Sequence, residues 1–288
     1  MIKPSLKPKY EVEFKTVRRA HKYATGAMMY DSVTKILNVI NKPALVPWAS
    51  REAANNIRLA LEARLKGKES ARINLNQSWI DEVIEEGRKA PDAIKNEAAR
   101  IGTMLHDVFF DLTQGKAVDV DKEYLGAVDA FKRWIDGSGL IIDGAEFPVA
   151  SNKYEFGGMP DALAYSTTPN GNKSWGIIDY KTSKNVYDDM ALQVAGGYKI
   201  AIEEQYGVEI EWCKIVRFAK VAPFGFEVVP IEDMQTSSEA FLAALNLYKL
   251  KKNKVLGEPE ASVFEDGDHA KKVKLVKPVK VKAKSLGF

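Results

Sequence analysis

Three side chains stand where their neighbours would favour an apolar β-core: Asp161, Asp179 and Lys181. Asp161 follows Gly157-Gly158-Met159-Pro160, and Asp179 follows Ile177-Ile178. A lone carboxylate buried among such neighbours is costly unless a partner compensates it. Two carboxylates placed together also repel, which makes one of them harder to ionise. A divalent cation removes both penalties. Mg²⁺ and Mn²⁺ prefer carboxylate, carbonyl and water oxygens, which Asp161, Asp179 and the backbone carbonyl of Tyr180 can supply. Residues two apart on a strand share a face, so Lys181 sits beside an ion held by Asp179. An ammonium there can orient an attacking water and offset charge building up on a phosphate. The expected chemistry is metal-assisted hydrolysis of a phosphodiester.

These residues need strands to carry them. Short β-type runs occur at "GLIIDGAEFPVAS", "KYEFGGMPDALAYS" and "SWGIIDYKTS", with "TTPNGN" as a hairpin turn between the last two. A helix is expected over "DDMALQVAGGYKIAIEEQYG", then strands at "EIEWCKIVRFAK" and "GFEVVPI", then a closing helix at "SSEAFLAALNLYKLKKN". Upstream, Ser32 is a candidate N-cap for "VTKILNVI", and residues 46–67 have amphipathic spacing. Pro91 is expected to open a helix that stops at Gly115, and another helix covers residues 121–136. The stripe of 46–67, with Trp48, reads as core rather than as a base-stacking platform.

Asp161, then 17 residues, then Asp179-Tyr180-Lys181, set in an α-β-β-β-α-β order, resembles the PD-(D/E)XK nuclease superfamily. Its Pro-Asp is literal here as Pro160-Asp161. More narrowly the chain resembles the RecB-like branch, which includes phage exonucleases and mitochondrial genome-maintenance exonucleases. That branch carries Gly-x-x-x-His ahead of the core, matched by Gly102 and His106, and a Gln on the helix after "DYKTS", matched by Gln193. The segment "SVTKILNVINKPALVPWA" is similar as well, so the resemblance spans roughly residues 30–220.

The resemblance implies an α/β fold with a restriction-endonuclease-like core, a mixed central sheet flanked by helices, and an N-terminal helical region. It implies metal ligation by Asp161 and Asp179, with Mg²⁺ or Mn²⁺ as the cofactor, and a catalytic role for Lys181. His106 would be a further ligand or an organiser of the site, on a helix that Gly102 lets approach the sheet. Glu146 would lie near the metal on the first core strand, and Gln193 would hydrogen-bond within the site or to DNA. The branch usually has Gln-x-x-x-Tyr, whereas Tyr198 falls five residues after Gln193. Five α-helical residues turn it about 140° away, so Tyr198 is expected outside the site. An iron–sulfur subtype needs four cysteines, and Cys213 is the only one.

Four segments are expected: a basic, irregular or strand-like stretch at 1–30, a helical region at 31–137, the core at 138–255 and a flexible lysine-rich tail at 256–288. The last 18 residues hold 7 of the 42 basic side chains and no acid, leaving 35 basic against 39 acidic elsewhere, a formal −4. Any nucleic-acid contact must therefore come from local patches or from the tail. No apolar run reaches the ~18 residues of a membrane span, and the N-terminus lacks a secretory h-region. A cytoplasmic protein is expected, in a bacterium or a phage-infected host. DNA is the expected partner, with recombination or replication proteins beside it. An exonuclease is preferred. A structure-specific or nicking endonuclease and a catalytically inactive binding subunit stay open.

Overall fold

The computed structural model describes residues 1–18, 20–66 and 76–253. The expected lysine-rich tail lies outside them. The chain is mixed α/β, built around two five-stranded mixed sheets.

The first sheet positions the acids. It contains β4 (Ile141–Ala145), β7 (Ala162–Thr167), β8 (Lys173–Lys181), β9 (Trp212–Phe218) and β10 (Phe226–Pro230), in the order β10-β9-β8-β7-β4. β7 and β8 form an antiparallel hairpin with Thr167 opposite Lys173. In its loop Gly171 takes a φ of 80° and its N–H donates to the Thr168 carbonyl, the conformation that Asn-Gly turn chemistry favours. β8 and β9 run parallel, so a crossover must join them, and the helical run after β8 supplies it.

The second sheet was not expected. It has the order β1-β2-β3-β6-β5, from β1 (Glu13–Val17), β2 (Ala20–Thr25), β3 (Met28–Ser32), β5 (Val149–Ser151) and β6 (Phe156–Gly158). The basic N-terminal stretch is thus an antiparallel meander, and β3 pairs in parallel with β6. Two of the anticipated core runs are each split. Glu146, at φ 48°, turns the chain out of β4 toward β5, and Met159-Pro160 separates β6 from β7. A non-glycine residue in the left-handed region is uncommon and strained.

The helices are α1 (Val33–Leu37), α2 (Leu45–Leu65), α3 (Gln77–Thr113), α4 (Leu125–Ser138), α5 (Asp188–Ala191), a π-helical segment (Leu192–Tyr198), α6 (Lys199–Tyr206) and α7 (Met234–Lys252). Ser32 caps α1 by accepting from the Lys35 N–H. Pro91 does not open a helix. It lies inside the 37-residue α3, which starts at Gln77 under the Asn76 cap. Proline deprives the carbonyl four residues back, here that of Gly87, of its bond. At Gly87, however, α2 packs so closely that a Cβ would meet Ile57 at 2.6 Å, and such tertiary packing overrides local propensity. α2 itself has no fully buried residue, so its stripe is a half-covered face against α3 rather than core.

Alternation along β8 divides the interior. Ile178 and Tyr180 face α3 and α4, in a cluster with Phe109, Phe131, Trp134 and Phe218. Ile177 faces the opposite way, into a cluster with Val33, Val194, Tyr198 and Phe241. Asp179 and Lys181 share the Ile177 face. Among the described residues, no helix is long and apolar enough to cross a membrane.

Candidate active site

One end of the first sheet gathers the carboxylates. β8 ends at Lys181, Asp161 immediately precedes β7, and Glu146 immediately follows β4. Because β4, β7 and β8 alternate in direction, all three positions fall at the same edge. The Glu146 N–H donates to the Asp161 carbonyl at 3.2 Å. Glu146 therefore sits in the turn after the strand where it was expected.

Asp161 accepts from the Tyr180 N–H at 2.6 Å through Oδ2, and His106 Nδ1 lies 3.4 Å from its Oδ1. His106 arrives from α3, across the sheet end, with its ring 6.4 Å from that of Tyr180. Asp179, 1% exposed, forms an ion pair with Lys181. Gln193 Nε2 approaches Asp179 Oδ1 at 3.5 Å, the outer limit of a hydrogen bond. The Tyr180 group seen to act on the acids is its amide, donating to Asp161.

The charges are mutually perturbed. Burial pushes the Asp179 pKa up and the Asp161 charge adds to that, against the opposing pull of Lys181. Burial would raise Asp161 as well, but His106, Lys181 and the Tyr180 amide outweigh it and hold that carboxyl low. Two adjacent acids with divergent affinities for protons are what a shared site produces. Burial disfavours charge on His106 and Lys181, and the neighbouring carboxylates reverse that, raising both. Glu146 is raised by burial and by the charges of Asp161 and Asp107.

Tyr198 is a correction. The turn containing it is π-helical, and the wider turn brings residues five apart much nearer to one face than an α-helix does. Gln193 Nε2 consequently donates to the Tyr198 hydroxyl at 2.8 Å. The extra residue that displaces Tyr198 in an α-helix is absorbed by the wider turn. Close packing sets that register. A Cβ on Gly197 would meet Val33 at 2.6 Å, and one on Gly158 would meet the Tyr198 ring at 2.5 Å. Gly102 is less demanding than expected, since a Cβ there would meet only Thr182 Oγ1 at 3.4 Å, an ordinary contact. Asp107 is a further acid that spacing did not single out. It follows His106 on α3 with its own side chain exposed, and its charge reaches Glu146.

The donor chemistry suits a hard divalent cation: carboxylate oxygens from Asp161, Asp179 and Glu146, one imidazole and a strand carbonyl. Each acid is turned to its own partner, Asp161 to His106 and the amide, Asp179 to Lys181. Among the described residues, no three His, Cys, Asp or Glu side chains converge as a ligand set.

No family model matches the chain, and no curated protein matches it. Among solved structures the chain is similar to an alkaline exonuclease from Laribacter hongkongensis, with 16% identity over 78% of this chain and 92% of that one. The TM-score is 0.33, an overlap too slight to assign a fold or an activity.

Proposed function

We propose that this chain is a metal-dependent DNA nuclease that hydrolyses phosphodiester bonds, acting as an exonuclease in preference to an endonuclease. One observation carries the reading: Asp179, buried, and Asp161, half-buried, share a sheet end with the ammonium of Lys181 and the imidazole of His106. Two acids brought so close, beside one ammonium and one imidazole, are a poor device for stability and a good one for recruiting a cation. The order and spacing of Pro160-Asp161, Asp179-Tyr180-Lys181, His106 and Gln193 support a nuclease of the PD-(D/E)XK type.

Asp161 and Asp179, with His106, Glu146 and the Tyr180 carbonyl, would hold Mg²⁺ or Mn²⁺. When bound, the ion supplies positive charge that polarises the phosphoryl oxygens. Lys181, paired with Asp179, would position the attacking water and stabilise charge on the phosphate. Gln193 offers its amide to the same face, held there by Tyr198. DNA would be the substrate, with roles in recombination, repair or phage genome processing.

The test is incubation of linear and closed-circular DNA with Mg²⁺ or Mn²⁺, beside Lys181→Ala and Asp179→Ala. Loss of linear DNA alone, abolished in both variants, is expected. Cutting of circles would replace the exonuclease with an endonuclease. Metal-dependent loss of neither would leave only a binding subunit.

A further inference from the structure

A second cluster of charge lies where β3, α1 and α7 meet. Asp31 is 5% exposed, and both of its oxygens are fully engaged. Lys22 and Lys35 donate to Oδ1 at 2.6 and 2.7 Å, while the Tyr248 hydroxyl and Lys252 donate to Oδ2 at 2.7 and 3.1 Å. Lysines in the last turn of a helix, as in α7, are ordinary. Three lysines from three separate elements converging on one buried carboxylate are not.

The cluster is over-compensated. Lys22 and Lys35 share one oxygen, so their ammonium groups can be no further apart than those two short bonds allow, and they repel. Each ammonium carries three donors, and the bond to Asp31 uses one. Beside the cluster is an open depression of about 500 Å³, lined by Lys35, Asn38, Val39, Tyr248, Lys251 and Lys252. None of these described lining residues is acidic. The Glu155 carboxylate is taken by Lys249 at 2.7 Å. Asp31 thus gathers the lysines without neutralising them, and the surplus charge faces a space open to solvent.

We propose that this depression is a phosphate-binding site, in which Lys35, Lys251 and Lys252 hold a backbone phosphate of the DNA strand that the proposed nuclease hydrolyses. The inference rests on DNA as the substrate and adds the surface that holds it. Val33, two residues beyond Asp31, packs against Gly158 and Gly197, so the cluster shares core packing with the turn that carries Gln193.

Binding of a fluorescent single-stranded oligonucleotide, measured in EDTA across a range of salt concentrations, tests the site. The Lys35→Gln/Lys252→Gln protein should bind about tenfold more weakly near 0.1 M salt, with a log Kd against log salt slope lower by about 0.7, the loss of one phosphate contact. Lys251→Gln leaves every bond to Asp31 in place, so its fold is not at issue, and it should lower the slope by part of that amount. Wild-type affinity and slope in both variants would overturn the site while leaving DNA as substrate. No oligonucleotide binding by the wild type would overturn both. Reduced slopes in a protein that shows no metal-dependent cleavage would uphold the site and end the nuclease reading.

Discussion

At the sheet end, Asp161, Asp179 and Glu146 share one lysine and one histidine; at the junction of β3, α1 and α7, Asp31 alone takes three lysines and a tyrosine. Both clusters bury carboxylate, and burial by itself raises a carboxyl pKa in each. The partners then decide the sign. Asp179 stays raised because its burial, with a second acid beside it, outweighs the pull of Lys181, whereas Asp31 is held well below the ordinary range by its ring of donors. The first cluster lacks positive charge and the second has a surplus. One is suited to take up a cation and the other an anion, which are the two halves of gripping a phosphodiester beside a metal.

The contrast can be broken from either side. The largest effect is expected at the deficient site. Lys181→Ala or Asp179→Ala should reduce metal-dependent cleavage of labelled linear DNA by about a hundred- to a thousandfold, in line with losing a group that acts on transition-state charge. Retained cleavage would remove that site from the chemistry. Addition of Mg²⁺ or Mn²⁺ should also stabilise the wild type without any substrate. At a hundredfold excess over Kd the gain is about 2.7 kcal/mol, a rise in Tm of several degrees. Asp161→Asn/Asp179→Asn should show none of it in a thermal melt.

At the over-compensated site, Asp31→Ala should cost about 2 kcal/mol in a urea titration. That is less than a fully buried pair would lose, since Lys35 and Lys252 keep substantial exposure. The pH dependence follows from the depressed carboxyl. Its ion pairs stabilise the fold above the unfolded value, about 4, and that contribution fades as acid protonates the folded group. Asp31→Asn should therefore flatten the acid limb of a Tm against pH profile. Tyr198→Phe removes the hydroxyl that orients Gln193 and should lower kcat several-fold with a stability change near 1 kcal/mol. The smallest effect belongs to Gly102→Ala, which meets only an ordinary contact and gains helix propensity, a net change below about 1 kcal/mol by chemical denaturation.

The acids and Lys181 were legible because their relationship is local. A hairpin of short strands brings Asp161 against Tyr180, and the two-residue period of a strand puts Lys181 beside Asp179. Tyr198 was misjudged because a helix of unknown pitch was given the α value. Nothing within the segment announces a π-turn, which depends on Val33 meeting Gly197 from far away in the chain. The lysine cluster was invisible for the same reason: Lys22, Lys35 and Lys252 come from three elements, and no spacing links them. The left-handed backbone of Glu146, a signal of a constrained site, also appears only once the turn is built.

The sequence by itself determined that Asp161, Asp179 and Lys181 come together, the hairpin that pairs them and most of the helices and strands, because those follow from short-range periodicity and turn chemistry. The tertiary structure alone decided that the basic N-terminal stretch is a meander joined to β6, that α3 runs through Pro91, that the π-turn returns Tyr198 to Gln193, and that Asp31 collects its lysines. Each of these depends on contacts between segments distant in sequence, where packing overrides the local preference that a sequence displays.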